Sequence, residues 1–564
     1  MNRILSYIFF SFVLVFLTFA IWLFVFLPMI LEKRAQGAIL NRTGNLLSVS
    51  GGHSLQFSPH FGIALYDVSW GNVVTAKKLT FPITFMQILG WQSSSNNFEL
   101  EKPLFNVGVD GQGRSKIGFP QSGSGAKTNV NEPLPAPLHV TVKEGVIHYQ
   151  NDASGQAFSL TAMDGVIDVD AGDEIIFKAA GLLAQQRVHF SGDLKSLPRA
   201  FGEGSPFDFN LEGAGASFGF TGRLVAARGI DLAGIGTVET ADAARLLEWL
   251  GADLKGIQTK LPLSIAAGIE SESSIFLLKK ADIRFARMQA QGDVSFSNAG
   301  VRPNITLDLK VDDLNTNLYA PAAENIVPNG SWNDKSFDFT DINAFDAQFR
   351  LTANRLQYGA FSVGPAEIEG QLKDSILNVK ITNVDIGNFD VNLDAHQSPP
   401  ILDLNFALAL PKAETFMSSS MHMNWLAGPL NTKGTLNAIG ASPSAMIGTL
   451  KGNVEALSEA AALNGVDIAK FGAHVLAEPV EGWQGETTSP TAFKTKFTVD
   501  DGVATVESGR LTAPGVKIAM TGEVDILRQA LNLVAEMNLN RIDGNPAKIK
   551  IDGAWAKPHF ELVK

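Results

Sequence analysis

Apolar and polar residues alternate along most of the chain beyond residue 100. In ILDLNFALAL (401–410), every second residue from Leu402 onward is leucine or phenylalanine, and polar Asp403 and Asn405 stand between them. NITLDLKVDD (304–313) repeats the pattern, and the same alternation occurs at 138–142, 207–211, 493–499 and 531–540. Successive side chains of a strand point to opposite faces, so this alternation predicts antiparallel strands with one solvated and one apolar face. The chain is therefore predicted to be mainly β.

Helical spacing of apolar residues is confined to a few stretches. DAARLLEWLGA (242–252) begins with aspartate and then spaces its leucines as a helix does. SPSAMIGTLKGNVEALSEAAAL (442–463) is a second helix candidate, weakened by its two glycines, and TFMQILGW (84–91) is a third, shorter one. QSGSGAKTNVNEPLPAP (121–137) has the composition of a linker. We expect a mainly β chain with a few short helices.

A motif of the form apolar, polar, glycine, polar, apolar recurs at uneven intervals. Examples are FSGDL, FTGRL, IEGQL and MTGEV, and the motif glycines are Gly192, Gly222, Gly292, Gly370, Gly522 and Gly553. In a strand the glycine shares a face with both apolar residues. Two explanations are open: the glycines follow tight turns, or they leave room and curvature on the concave face of a curled sheet. In the second case, room would lie beside Phe190, Phe220 and Met520.

The N-terminal segment carries no charge between Arg3 and Glu32. A transmembrane helix needs about 20 apolar residues, whereas the apolar core of a signal peptide has about 7–15. This run is long enough to predict an uncleaved membrane anchor over residues 1–34. Residues expected inside it are Ile4, Phe16, Trp22 and Leu31. The flanking charges lean only slightly toward a cytoplasmic N-terminus, and no second run of this kind follows.

Composition excludes some classes of function. The net charge of −12 and the absence of a concentrated basic face argue against a nucleic-acid partner. The chain has no cysteine, so a disulfide framework and a thiolate metal site are both excluded. Only 18% of its 564 residues are charged, less than the roughly 25% of soluble domains.

Motifs for catalysis and for cofactors are weak. GASFG (215–219) matches the nucleophile elbow with Ser217 at its centre, but both flanks resemble strands where the motif needs a following helix. SGSGAKT (122–128) lacks the glycine that a phosphate-binding loop requires. His139 and His148 flank one predicted hairpin without a third ligand. We therefore expect no enzyme, no cofactor and no metal, with a serine hydrolase as a remote alternative.

Several segments, taken in order, resemble the AsmA family of Gram-negative envelope proteins. The chain is similar to that family at RTGNLLSVSGGHSLQFSPHFGIALYDVSWGN (42–72), at FELEKPLFNVGVDGQGRSKIGF (98–119) and at 142–169. The most specific match is SWNDKSFDFTDINAFDAQFRLTANRLQYGAFSVGPAEIEGQLKDSIL (331–377). LNAIGASPSAMIGTLKGNVEAL (436–457) followed by NGVDI completes the series. The resemblance covers nearly the whole chain.

The resemblance implies a protein held in the inner membrane by a single span, with its body in the periplasm. It implies a long, curled antiparallel sheet that forms a groove, similar in fold to the chorein-type lipid-transfer bridges. The expected divisions are an anchor (1–34), an N-terminal AsmA-like unit (35–120), the linker (121–137) and a β-rich body (138–564) whose AsmA-like C-terminal region begins near 331. The implied role is outer-membrane homeostasis through phospholipid movement between the two membranes, with an outer-membrane or periplasmic protein as a possible partner.

An apolar groove would suit phospholipid acyl chains on physical grounds. Exposing one methylene group to water costs about 0.8 kcal/mol, so a sixteen-carbon chain would meet a penalty of roughly 10 kcal/mol in the aqueous gap. The residues expected to line the groove are Phe190, Gly192, Phe220, Gly222, Leu307, Leu309, Leu402, Leu404, Phe406, Leu408, Leu410, Met520, Gly522, Leu531 and Leu533. The main alternative is an envelope scaffold that transports nothing and whose apolar face is filled by its own side chains.

Overall fold

The computed structural model describes residues 47–563 with internal gaps. Those gaps are 57–61, 71–73, 83–96, 111–136, 153–155, 227–229, 250–260, 273–274, 298–299, 301, 316–330, 340–344, 359–360, 384, 422–425, 467, 469–483, 540–545 and 557. The predicted anchor residues Ile4, Phe16, Trp22 and Leu31, the helix expected at 84–91 and nearly all of the 121–137 linker lie outside the described residues. Across the described ranges, no helix has the length and apolar composition that a membrane span requires.

The chain is mainly β and divides into two compact units. Among the described residues, the first ends at Lys279 and the second begins at Lys280. Strand β15 (Ile275–Phe285) contains this boundary. The division therefore falls within the segment that the sequence groups as a single β-rich body.

The strands of the first unit form a mixed sheet. They are β1 (Leu47–Val49), β2 (His53–Gln56), β3 (Gly62–Trp70), β4 (Val74–Pro82), β5 (Asn97–Glu101), β6 (Leu104–Val109), β7 (Leu138–Asn151), β8 (Gln156–Val169), β9 (Ile175–Leu183), β10 (Gln186–Leu194), β11 (Ser205–Gly213), β12 (Ala216–Val225), β13 (Asp231–Thr240) and β14 (Leu263–Glu272). Strands β1 and β2 both pair with β3, which pairs with β4. Strand β4 pairs with β5 and β6. From β7 to β14, consecutive strands pair antiparallel.

The strands of the second unit follow one another in nearly sequential order. They are β16 (Met288–Ser297), β17 (Asn304–Asn315), β18 (Asp346–Tyr358), β19 (Phe361–Val363), β20 (Ala366–Lys373), β21 (Ile376–Asn383), β22 (Gly387–Asp394), β23 (Ile401–Leu410), β24 (Leu426–Ala427), β25 (Leu430–Ile439), β26 (Lys451–Val466), β27 (Gln484–Asp500), β28 (Val503–Ala513), β29 (Val516–Asp525), β30 (Ala530–Leu539), β31 (Ala547–Ala554) and β32 (His559–Val563). Strand β18 pairs with β19 and β20, β23 pairs with β25, and β24 pairs with β26. The six segments whose alternation predicted strands all lie in strands.

Three pairs of strands are parallel, which corrects the expectation of an antiparallel sheet throughout. Strands β5 and β6 pair parallel with β7, and β17 pairs parallel with β18. A parallel pair needs a crossover of a dozen or more residues. Two long connections, 110–137 after β6 and 316–345 after β17, supply that length, and the predicted linker lies in the first. Alternation reports which face a side chain occupies, so it carries no information on strand direction.

Two-residue turns close several of the hairpins. The β11–β12 turn has φ values of +52° at Ala214 and +79° at Gly215, and the β27–β28 turn has +46° at Asp501 and +77° at Gly502. Two consecutive residues with positive φ match the right-handed twist of the flanking strands. The DDG signal before β28 is therefore a tight turn.

The helices are short, and one prediction of a helix is wrong beyond its first turns. Among the described residues, the helices are α1 (Leu197–Ala200), α2 (Ala243–Trp249), α3 (Ala413–Met421) and α4 (Pro443–Gly448). The helix predicted at 242–252 is confirmed as α2. The helix predicted at 442–463 ends at Gly448, and the chain enters β26 at Lys451. Residues 451–460 alternate between the two faces, and pairing with β25 and β27 satisfies their backbone groups.

The register of β17 and β18 gives a test of the parallel pairing. Thr306 lies opposite Gln348, and the chain contains no other cysteine, so we expect Thr306→Cys with Gln348→Cys to form a disulfide on mild oxidation. Directly paired residues of neighbouring strands are about 4.8 Å apart, within the roughly 4.4–6.8 Å between Cα atoms that a disulfide spans, whereas the diagonal pair Thr306→Cys with Arg350→Cys would be about 8 Å apart. Free-thiol titration and peptide mapping check the result. Equal oxidation of both pairs would refute this register.

Candidate functional site

The apolar residues of the second unit line up in rows across neighbouring strands. Register places Leu307 opposite Phe349 and Phe349 opposite Gly370. What we call the central apolar row continues through Val379, Val391, Leu404 and Leu436. A second row, two residues along each strand, contains Leu309, Leu351, Ile368, Ile381, Phe389, Phe406 and Gly434. These rows place four predicted groove residues on one continuous surface.

Most residues of this surface are neither fully buried nor fully exposed. Every residue of the central apolar row is partly exposed, and in the second row only Ile368 is buried. Among the described residues, the core clusters contain none of Leu307, Leu309, Leu404 or Phe406. Leu402 and Leu408 are partly exposed and pack at the margins of clusters. From β17 to β23, the middle of the apolar face thus lies outside the packed cores and is partly exposed.

The apolar face is filled farther along the second unit. Leu511, with 4% of its surface exposed, belongs to a cluster that includes Val516, Ile518, Ala535 and Met537. Met520 packs against this cluster. Three other predicted groove residues are also in contact with cores: Leu410 is buried against α3, Leu531 is buried beside Trp555, and Leu533 packs against Leu531 and Trp555. These four residues line packed regions rather than an open surface.

A segment without regular secondary structure helps to fill that region. We call residues 331–339 the strap. The Trp332 Nε1–H donates to the backbone oxygen of Ile526 at 2.9 Å, and the indole packs against Leu531 and Trp555. Backbone bonds join Phe337 to Ala441 and Ser444 to Asn333. The sequence predicts no packing role for the strap, because a segment without regular secondary structure has no periodic pattern of apolar residues.

In the first unit, phenylalanines form a strip on the apolar face. Phe177 lies 6.3 Å from Phe190 and 6.4 Å from Phe209, and the strip continues through Phe207 to Phe220. Phe220 is 8% exposed, whereas the other four are partly exposed.

Next to the strip, Trp249 of α2 packs on a cluster that contains Val142, Leu160, Met163 and Val188. Its Nε1–H donates to the backbone oxygen of Leu183 at 3.0 Å. Helix α2 thus fills part of the apolar face of the first unit.

The motif glycines do not leave vacant room, which corrects that explanation. A Cβ atom on Gly370 would lie 2.1 Å from Cζ of Phe349, and one on Gly192 would lie 2.4 Å from Cζ of Phe177. The ring of the neighbouring strand's phenylalanine therefore lies across the glycine. Covering a strand glycine with a cross-strand aromatic ring is a recognised way to restore the contacts that the glycine lacks. The ring then lies along the sheet instead of standing upright in the groove.

Other motif glycines are required by the backbone. A Cβ on Gly222 would lie 2.4 Å from the Ala233 oxygen, and Gly522 has a φ of +121° with the Asn532 oxygen 2.3 Å from its Cβ position. Gly553 has a φ of +89°. Each of these positions excludes a side chain because a neighbouring strand approaches too closely or because the backbone adopts a conformation that favours glycine. Neither a tight turn before the strand nor vacant room on the apolar face accounts for these glycines; close contact between neighbouring strands does.

The opposite face of β17–β26 carries polar ladders. A trough of about 1090 Å³ is lined by residues of these ladders and of the central apolar row. Asn392 donates to Asn378 at 2.6 Å, Asn437 donates to Asp403 at 2.7 Å, and Arg350 pairs with Glu369 at 2.9 Å. The hydrogen bond that Arg350 donates to the Glu369 carboxylate raises the pKa of Arg350 above its ordinary value. Most of these groups satisfy one another across strands.

The candidate residues for chemistry are not assembled into a site. Ser217 lies within β12, opposite Glu212 and Glu239, so the strand-to-helix turn of a nucleophile elbow is not formed there. His139 and His148 lie on the single strand β7 rather than on two strands of a hairpin, and they contact Asp168 and Ser159 respectively. Within the described residues, no group of three or more His, Asp or Glu side chains could hold a metal.

Comparison of the chain with protein-family models, with curated proteins and with solved structures gave no match. The site therefore has to be interpreted from its own geometry. That geometry is a broad, partly exposed apolar surface on one face of a sheet, bounded in the second unit by clusters under α3, α4 and the strap.

The difference between open and filled surface predicts unequal losses from one substitution at two positions. We expect Leu511→Ala to lower the free energy of unfolding by about 2–5 kcal/mol, because it leaves a cavity in a packed cluster. We expect Leu404→Ala to lower it by about 1 kcal/mol or less, because its methyl groups are already partly solvated. Urea denaturation of the full chain measures both. Equal losses would show that the surface at Leu404 is covered.

The contact between Gly370 and Phe349 predicts a coupled pair. We expect Gly370→Val to destabilise the chain by about 1–3 kcal/mol, because the new side chain displaces the ring. The matched control is Gln371→Val on the exposed opposite face, where we expect a change within about 0.5 kcal/mol. In the Phe349→Ala background, Gly370→Val should lower the free energy of unfolding much less than it does in the wild-type chain. A double-mutant cycle based on urea denaturation measures this difference. Strictly additive losses would contradict the contact.

Proposed function

We propose that this chain is an AsmA-like lipid conduit, tethered to the inner membrane, that conducts phospholipids between the inner and outer membranes. The observation that carries the proposal is the partly exposed central apolar row, together with the row beside it. A water-exposed surface of this kind marks a binding surface, because soluble proteins rarely expose contiguous apolar patches without a function. The resemblance to the AsmA family and the apolar N-terminal segment supply the membrane context.

The size and chemistry of the surface suit an acyl chain. The central apolar row crosses seven strands, so it extends about 29 Å at a strand spacing of about 4.8 Å. An acyl chain lying along it would avoid much of the roughly 10 kcal/mol cost of exposing sixteen carbons to water. The phospholipid head group would remain in water beyond the edge of the surface.

A conduit must release its cargo as well as hold it. Partly exposed leucine, valine and phenylalanine side chains provide many small contacts and no deep pocket, so an acyl chain can shift from one contact to the next at little cost. The rings of Phe349 and Phe177 lie along the sheet over a glycine, so they project less from the surface than an upright ring would. The chain offers no group that could supply energy for directed movement, so we assign direction to partners or to lipid gradients.

The second candidate is a scaffold that carries nothing, and the filled clusters of β27–β31 favour it for that region. The scaffold hypothesis predicts that the apolar face between β17 and β23 also binds no acyl chain in the cell, either because it stays free of lipid or because other groups cover it. The conduit requires acyl chains on that face. The two proposals therefore differ at one defined place.

A photo-crosslinking amino acid at Leu404 tests this difference. Leu404 lies on the central apolar row, and Asn405, the next residue, is exposed on the opposite face, so Asn405 is the matched control. We expect phospholipid adducts at position 404 and few at 405 after irradiation of the full chain in membranes, measured by mass spectrometry. Adducts at neither position, with the fold retained by circular dichroism, would refute the conduit and favour the scaffold.

A further inference from the structure

The hairpin of β7 and β8 projects beyond its neighbours on one side. Each of these strands has fourteen residues, whereas β9 and β10 have nine each. Leu160 of β8 lies opposite Leu183, which is the last residue of β9. Phe158 is two residues nearer the hairpin end, and no described residue of β9 lies opposite it. On the other side β6 continues alongside, with Val107 opposite Tyr149.

An aromatic pair stands on the apolar face of this projecting end. Tyr149 and Phe158 stack with ring centroids 4.7 Å apart and an angle of 22° between the planes. Phe158 has 51% of its surface exposed. The next pair on the same face, Ile147 and Leu160, belongs to or packs against the core cluster beneath Trp249. The apolar face therefore runs from a packed interior to an exposed aromatic tip without a polar break.

The chemistry of the tip fits the interface of a lipid bilayer. Tyrosine and other aromatic side chains are favoured at that interface because an apolar ring can be buried there while polar groups remain hydrated. His148 and Ser159 bond to each other on the opposite face. Residues 147–160 contain no lysine or arginine, so attraction to anionic head groups would contribute little and apolar insertion would dominate.

The position of the hairpin in the chain points to the membrane that holds the tether. Fifteen residues lie between Leu31, at the end of the apolar N-terminal segment, and Leu47, the first residue of β1, so the two residues can be at most about 55 Å apart. Strands β1, β3, β4, β6 and β7 are successive neighbours, so β7 lies roughly 19 Å from β1 at about 4.8 Å a strand. The tip is therefore within reach of the same bilayer.

We propose that the β7–β8 hairpin docks into the tethering bilayer through Tyr149 and Phe158. This inference rests on the proposed conduit, because it assigns that conduit its membrane end. The occupant of the exposed pair is thus the lipid surface rather than a protein.

The test uses the absence of native cysteine. Ala157→Cys, exposed beside Phe158, and Thr161→Cys, exposed farther from the tip, are each labelled with an environment-sensitive fluorophore in the full chain. The labelled chains are reconstituted in vesicles of zwitterionic phospholipid that contain spin-labelled lipid. We expect several-fold stronger quenching at 157 than at 161. Replacing the pair with Tyr149→Ser and Phe158→Ser should reduce quenching at 157 to the level at 161.

Equal quenching at the two positions with the aromatic pair intact would overturn the proposal. Strong quenching at 157 that survives loss of the aromatic pair would also overturn it. Cross-linking of a second protein to the chain that shields the label at 157 would overturn it as well. Failure of the conduit itself is recorded separately by the photo-crosslinker at Leu404. Adducts there without quenching at 157 refute only the membrane contact, and quenching without adducts refutes only the conduit.

Discussion

Cross-strand register is the constraint on which the rest of this structure depends. Leu307, Phe349 and Leu404 come from distant parts of the chain, yet they share one row because each strand pairs with its neighbour in a single register. A slip of one residue would send a strand's apolar side chains to the polar face. The polar ladders of the other face, such as Asn378 with Asn392, depend on the same register. Both faces of the sheet are therefore fixed by one set of backbone hydrogen bonds.

Whether an apolar face becomes a core or remains a surface depends on what lies over it. Leu404 and Leu511 have the same side chain and the same place in an alternating pattern, but only Leu511 is enclosed. Elsewhere on the apolar faces, the covering groups are short and irregular: α2 with Trp249, α3, and the strap with Trp332. These few elements separate the packed regions from the partly exposed surface that we assign to acyl chains. We assign the aromatic pair near the end of the β7–β8 hairpin to contact with a membrane.

Glycine and phenylalanine act together in the open region. Gly370 and Gly192 would clash with a neighbouring ring if they carried a side chain, so each glycine allows a phenylalanine to lie along the sheet. The surface stays apolar, because the ring replaces the missing side chain, and it stays shallow, because the ring does not stand upright. A surface of this shape favours many weak contacts over a tight pocket, which is what a lipid conduit requires.

The sequence by itself determined the strands and their faces, because a period of two assigns each side chain to one side of the sheet: the strands at 304–313 and 401–410 follow directly from it. It also determined α2, from helical spacing over a short stretch. Only the tertiary structure decided that β17 and β18 run parallel, that residues 451–463 form a strand instead of a helix, and that Leu531 is packed while Leu404 is open. Strand direction, strand partners and covering segments all arise from contacts between residues far apart in the chain, and local periodicity carries no record of those contacts.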